Sequence, residues 1–200
     1  MVCVMKKRRY DMQIKKEDIR TSILTVAERL FIKRGYEDAS LKMIAGNCNI
    51  SKSNIYRYFR SKEEIYETIV GPAREAIINM APTFFSQETI SKSAMDKSRE
   101  MPLVLAGLLS KFRSAILIML RSEGGKDRKM IEKLITDSFV NTCPIEMSGA
   151  KELISKMLIY GLTDILIKYS DEEDLLRELR SLICYHYLGL DGLKEAGAKL

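Results

Sequence analysis

The chain has 200 residues, 46% of them apolar, and a formal net charge of +6, which allows one well-packed core or two small ones and excludes intrinsic disorder. The longest apolar run, Leu103 to Leu120, is interrupted by Lys111 and Arg113, and the opening MVCVMKKRRY is not laid out as a secretory signal, so a cytoplasmic protein with no membrane span is expected. Residues 1–62 carry 15 lysines and arginines against 6 aspartates and glutamates, a net of +9, and the remainder 18 against 21, a net of −3; a basic end on a slightly acidic body suits a polyanion, nucleic acid or a membrane surface.

The predicted elements are helical nearly throughout. Ile19, Ile23, Val26, Ala27, Leu30 and Phe31 fall at helical spacing and Gly35 follows as a left-handed cap, predicting a first helix over 16–34. Ahead of it, KKRRY (Lys6 to Tyr10) reads either as an arm on phosphates or in a minor groove, or as a soluble disordered tail. Ser40 precedes a short second helix, LKMIAGN, with Leu41, Ile44 and Ala45 inward. Asn49 tolerates the left-handed conformation and Ser51 caps a third helix. Ser61 with Glu64 forms an S-x-x-E box for a fourth, from Lys62 to about Met80, with a bend or break expected at Gly71-Pro72.

From Ala81 to about Lys97 the pattern weakens into a connecting region. Four longer helices follow: Pro102 to Ser122, Lys126 to about Val140, Gly149 to Tyr169, and Asp171 to about Gly189, the last with Ser170 and Glu173 as its capping box. Nothing alternates at period two, so the fold class is all-α. Two domains are expected: a basic one over 1–62 and a larger helical one over 63–200.

Several chemistries lack residues to carry them. Cys3, Cys48, Cys143 and Cys184 form no CxxC pair and His186 is the only histidine, which supports neither a zinc site nor a disulfide framework. There is no GxSxG, Walker loop or GxGxxG, so no catalytic residue, metal or cofactor is assigned and an enzyme is the minor hypothesis.

The informative stretch is ISKSNIYRYF, Ile50 to Phe59. Helix, tight turn, helix over 41–58 is the arrangement that lays a second helix across a major groove. Ile50, Ile55 and Phe59 anchor it, leaving Lys52, Ser53, Asn54, Tyr56, Arg57 and Tyr58 for the outer surface. Asn pairs bidentately with adenine, Arg or Lys with guanine, and hydroxyls suit phosphate oxygens.

These residues carry a family resemblance. AERLFIKRGYEDASLKMIA followed by NISKSNIYRYFRSKEEIYE, within Ile23 to Ile69, resembles the DNA-binding domain of the TetR/AcrR-like transcriptional regulators. The resemblance implies phosphate contacts from Ser40, Lys42, Tyr56, Tyr58 and Lys62, and contacts to bases or nearby phosphates from Lys52, Ser53, Asn54 and Arg57, with Phe59 and Tyr36 mainly structural. Asn49 stands where that family usually has a turn glycine, Ser53 where glycine is common, and Gly46 and Asn47 replace better helix formers.

In the body, KELISKMLIYGLTDILIKY and LLRELRSLICYHYLGL are apolar on more than one face. Such helices need two burial partners, which the chain's own core and a second copy would supply as an isologous four-helix interface. For the resembling family the body usually encloses a small-molecule pocket whose occupation releases DNA. Phe112, Ile116, Met119, Phe139, Met157 and Tyr160 are the apolar candidates, with Arg113 or Asp164 as polar determinants, a set suited to a hydrophobic or cationic effector. The expected function is thus a homodimeric repressor on a near-palindromic double-stranded operator, released by a small molecule. The alternative is a DNA-binding protein whose body docks another protein, which predicts a filled body without a cavity.

Overall fold

The computed structural model describes the backbone of residues 2–84, 91–142 and 148–197, and the side chains of 16–82, 91–93, 95–137 and 152–192. Among the described residues every regular element is a helix: α1 (Val2–Arg34), α2 (Leu41–Asn47), α3 (Lys52–Ile55), α4 (Lys62–Phe84), α5 (Ala94–Lys111), α6 (Arg113–Arg121), α7 (Lys126–Thr142), α8 (Ser148–Lys168) and α9 (Glu172–Gly197). No single described helix is long and apolar enough to cross a membrane. Contacts divide the chain into two compact units, Met1–Pro72 and Ala73–Leu200.

In the first unit, α1 starts well before residue 16, so the KKRRY segment has helical backbone. Its C-terminal half supplies Ile23, Ala27 and Phe31, none with any exposed surface, at the four-residue spacing that makes one apolar stripe. Gly35, at φ +86°, ends the helix with its N–H on the Phe31 carbonyl at 2.9 Å, the left-handed stop that a residue without Cβ adopts freely. Ile44 and Ala45 of α2, Ile55 of α3 and Ile65 of α4 complete the core.

Three start signals act as local chemistry dictates. Ser40 Oγ accepts from Met43 N–H at 3.2 Å, Ser51 Oγ from Asn54 N–H at 3.2 Å, and Ser61 Oγ from Glu64 N–H at 3.1 Å. The Glu64 carboxylate reaches back to the N–H of Arg60 at 2.6 Å, closing the box one residue further out than the usual pattern. Helix α4 continues through Gly71 and Pro72, so of the expected bend or break there is no break.

The second unit departs more. The expected helix 102–122 is two helices: α5 begins at Ala94 and stops at Phe112, whose φ of −119° and ψ of 25° lie outside the helical region, and α6 leaves at 95° to it. Pro102 lies inside α5 because Ser93 caps the helix two turns earlier, accepting from Asp96 N–H at 3.1 Å and donating to the Asp96 carboxylate at 2.6 Å. At the start of α9 the cap is Asp171, not Ser170: Asp171 Oδ1 accepts from the N–H groups of Glu173 and Asp174 at 2.9 and 3.2 Å. A charged acceptor next to a helix N-terminus outcompetes the hydroxyl one residue away.

Helix α9 packs along α5, while α8 touches α6, α7 and α9. Met101 of α5, Leu158 of α8 and Ile183 of α9 are buried together, with Leu105, Ile135, Leu162 and Leu182 packed against them. Gly161 permits the close approach of α8 and α9, since a Cβ there would stand 2.8 Å from a Leu182 methyl.

Candidate functional site

The turn between α2 and α3 is closed by backbone bonds from Cys48 N–H to the Ile44 carbonyl and from Ile50 N–H to the Ala45 carbonyl, at 3.1 and 3.0 Å. Asn49 between them takes φ 55°, the left-handed conformation open to asparagine. The turn leads into a single helical turn, α3, fixed from below by Ile55 with no exposed surface and by Phe59 at 1%, the ring of Phe59 lying 5.0 Å from the Arg20 guanidinium. With the apolar members inward, Ser40, Lys42, Lys52, Ser53, Tyr56 and Arg57 are exposed, and Asn54 and Tyr58 are half-buried. Tyr56 leaves 50% of its surface in solvent. Ser53 Oγ and Ser51 Oγ share a hydrogen bond at 2.8 Å.

Lys62 is placed differently from the other candidates. Its ammonium donates to the carbonyls of Tyr36 at 2.8 Å and Glu37 at 3.2 Å and lies 4.2 Å from the centroid of the Tyr36 ring. Tyr36 in turn donates to Glu63 at 2.7 Å and packs edge-on against Phe31 and Tyr66, with centroids at 5.4 and 4.8 Å. Burial, and then the Glu63 carboxylate, push the Tyr36 phenol above its ordinary range. Asn47, weak as a helix former, has a role in joining elements: its Nδ2 donates to the Met43 carbonyl at 2.9 Å and its Oδ1 accepts from Arg29 at 3.3 Å.

The second unit contains a cavity of about 180 Å³ between α5, α6, α7, α8 and α9, its wall reaching the C-terminal part of α4. The wall is mainly leucine, isoleucine and methionine, and its polar side chains are Lys97, His186 and Tyr187. Of the candidates from sequence whose side chains are described, only Ile116 lines it. Phe112 is half-buried at the α5–α6 break and Met119 is fully buried without lining the cavity. Arg113 donates from Nη2 to the Leu166 carbonyl. Met157 and Tyr160 are exposed, at 52 and 56%, with Tyr160 lying over the Arg128 guanidinium at 5.4 Å, and Asp164 is exposed and paired with Lys168 at 2.7 Å. The side chain of Phe139 lies outside the described residues.

Sequence reasoning missed Lys97, His186 and Tyr187 as lining residues. The signal was present in α5: Lys97, Met101, Leu105 and Leu108 recur every three or four positions, which puts a lysine on an apolar stripe. Lys97 is 5% exposed, with Nζ 5.8 Å from the centroid of the Tyr187 ring, and the His186 and Tyr187 rings stand 5.5 Å apart. Burial lowers the pKa of His186 to about 4, so it is neutral at neutral pH, and raises that of Tyr187. Among the described residues of the wall there is no aspartate or glutamate. No group of three or more His, Cys, Asp or Glu that could hold a metal occurs among the described residues.

Comparison with known proteins bears on both regions. Residues 23–69 match the family model described as "Bacterial regulatory proteins, tetR family". The chain is similar to the HTH-type transcriptional regulator UidR of Escherichia coli (strain K12), 37% identical over 60 residues, 30% of this chain and 31% of that protein. It is similar to the HTH-type transcriptional repressor BepR of Brucella suis biovar 1 (strain 1330), 35% identical over 57 residues, 28% of this chain and 27% of that one. The match thus spans about a third of the length of these curated relatives or less. Among solved structures, a TetR-family transcriptional regulator from Bordetella parapertussis 12822 shares the fold at a TM-score of 0.59 and 17% identity, over 87% of this chain and 98% of that one. A TetR-like transcriptional regulator from Rhodococcus sp. RHA1 does so at 0.52 and 17%, over 86% and 96%.

Proposed function

This chain carries the helix-turn-helix domain of the tetR family of bacterial regulatory proteins, and from that premise we propose that it is a homodimeric transcriptional repressor, bound to a near-palindromic operator and released by a small molecule. Residues 1–62 take the DNA-binding role and 63–200 the effector and dimer roles. The observation that carries the reading is the single-turn helix α3 with the residues that follow it, where Ile55 and Phe59 are buried while Lys52, Ser53, Tyr56 and Arg57 face solvent, in the third of the chain that holds a net +9. Asn54, Arg57, Lys52 and Ser53 are assigned to base edges or adjacent phosphates, and Ser40, Lys42, Tyr56, Tyr58 and Lys62 to phosphates. Lys62 retains one N–H beyond the two carbonyls it already serves.

One such helix reads too few base pairs alone, which argues for paired half-sites and a dimer. Helix α8 supports that arrangement. Leu158, Ile159, Ile165 and Leu166 are buried within the chain, while Leu153, Met157, Tyr160 and Ile167 remain 52 to 60% exposed, and Tyr185 and Leu188 of α9 add to the exposed apolar surface. An effector reading, in preference to docking of another protein by the body, is favoured by the cavity. For release, the ligand must bind the DNA-incompetent arrangement more tightly than the competent one.

The test is fluorescence anisotropy of the full chain against the duplex flanking its own gene and a scrambled duplex of equal length, at low and physiological salt. The expected outcome is a preference for the flanking duplex that survives physiological salt. Equal binding to both that vanishes with salt would reduce the N-terminal unit to a nonspecific basic surface.

A further inference from the structure

The positive charge of the first unit is not spread evenly along it. Residues 1–16 hold 6 lysines and arginines against 1 aspartate, a net of +5, and residues 17–62 hold 9 against 5 acidic residues, a net of +4. Four of the cations, Lys6, Lys7, Arg8 and Arg9, are consecutive, and the backbone that carries them is helical, continuous with the rest of α1. Such charges work against their own helix. Like charges three residues apart repel, and cations close to a helix N-terminus oppose its macrodipole. A polyanion laid alongside removes both costs.

The contacts of α1 fix the end from which this run extends. Toward its C-terminus α1 meets α4, with the ring centroids of Phe31 and Tyr66 6.2 Å apart. Toward its other end it meets the turn and the stretch that follows: the Ser22 carbonyl accepts from Cys48 Sγ at 3.7 Å, and the Arg20 guanidinium lies 5.0 Å from the ring centroid of Phe59. Residues 2–15 therefore prolong α1 beyond the end that meets the α2–α3 turn. At 1.5 Å per residue, Lys6 to Arg9 stand about 17 to 21 Å along the helix from Arg20.

We infer that residues 2–15 form a second DNA-contacting element, a basic helix lying against phosphates of the duplex beyond those reached from α3. This rests on the DNA-binding half of the proposed function and adds a site to it. A helix of about 10 to 12 Å diameter does not enter a minor groove about 6 Å wide, so the contacts go to the backbone and carry no sequence information. An anionic lipid surface would attract the same charges, but the Arg20–Phe59 contact ties the run to the element assigned to base edges.

The experiment compares the full chain with a fourfold variant, Lys6→Gln, Lys7→Gln, Arg8→Gln and Arg9→Gln, which keeps good helix formers and whose folding is verified by circular dichroism. Should it not fold, the pair Lys6→Gln, Arg9→Gln is read the same way with about half the change in slope. Fluorescence anisotropy is measured on the duplex flanking the chain's own gene and on a scrambled duplex of equal length, over a series of salt concentrations. At matched low salt the fourfold variant should bind both duplexes about tenfold or more weakly, and its slope of log affinity against log salt should fall by about two or more. The ratio of the two affinities should stay as in wild type. An unchanged slope, a loss confined to the flanking duplex, or loss of binding to phosphatidylglycerol vesicles with DNA affinity unaltered overturns the inference. Equal wild-type affinity for the two duplexes, with the slope still falling in the variant, upholds the inference and removes only the sequence-specific part of the proposed function.

Discussion

The Lys62 ammonium is held by Tyr36 twice, donating to its carbonyl at 2.8 Å and lying 4.2 Å from its ring centroid. One side chain thus ties the start of α4 to the turn after α1, and the same cation sits in the basic third of the chain. Lys62→Ala should lower stability by about 1 to 3 kcal/mol, from the lost carbonyl bonds and ring contact, read as a fall of several degrees in Tm. Lys52 is exposed at the start of α3. Lys52→Ala should leave Tm within a degree or so and cut the slope of log affinity against log salt by about one. Tm unchanged in Lys62→Ala would show that its bonds to Tyr36 and Glu37 contribute nothing net.

Asn49 holds the turn at φ 55°. Asn49→Gly should be neutral or slightly stabilising, whereas Asn49→Val forces a β-branched residue into the left-handed region and should cost roughly 1 to 2 kcal/mol. Urea denaturation of the three proteins measures the order. Operator affinity should fall in Asn49→Val alone, because the turn aims α3.

The exposed apolar stripe on α8 predicts self-association through that helix. The double substitution Leu153→Glu, Met157→Glu places two charges where 60 and 52% of the apolar side chains are exposed in one chain, so the isolated fold should survive. Light scattering should then report half the wild-type mass, and operator affinity should drop by at least about a hundredfold as the second half-site is lost. An unchanged mass would place the subunit contact elsewhere.

Burial holds the His186 pKa near 4, against 6.5 for an ordinary imidazole. Between those values the unfolded chain binds a proton that the folded chain does not, so stability falls as pH drops from about 6.5 toward 4 and gains nothing further from this group above 6.5. The contribution is up to about 3 kcal/mol. Comparing wild type with His186→Leu by urea unfolding at pH 4.5 and 7.5 isolates it from the carboxylates: the variant should lose less stability on acidification.

Local signals were legible in the sequence and non-local ones were not. Gly35, Asn49, Ser40, Ser51 and Ser61 do what their own chemistry requires within four residues of chain, and the inward set Ile55 and Phe59 follows from helical spacing around a short apolar core. The same rules applied further on went astray at Pro102, where Ser93 and Asp96 supplied an earlier start, and at Ser170, where Asp171 was the better acceptor. The cavity wall was not legible, because it gathers Lys97, Ile116, Leu158 and His186 from four helices whose mutual placement no periodicity encodes. Met157, Tyr160 and Asp164 share helical spacing with buried neighbours and still point away from the interior, since a helix apolar on two faces does not announce which one is inside.

The interruption at Phe112 has a consequence for how the interior of such a chain could change. In an unbroken helix Leu105 and Leu120 would stand about 22 Å apart, too far to line one cavity. Turned through 95° at one residue, they become two walls of the same chamber. Phe112 is not among the residues lining that chamber, so a substitution that opens or tightens the corner resizes the whole interior at once. The chamber can therefore change its size by adjusting a joint, leaving every residue of its wall chemically untouched.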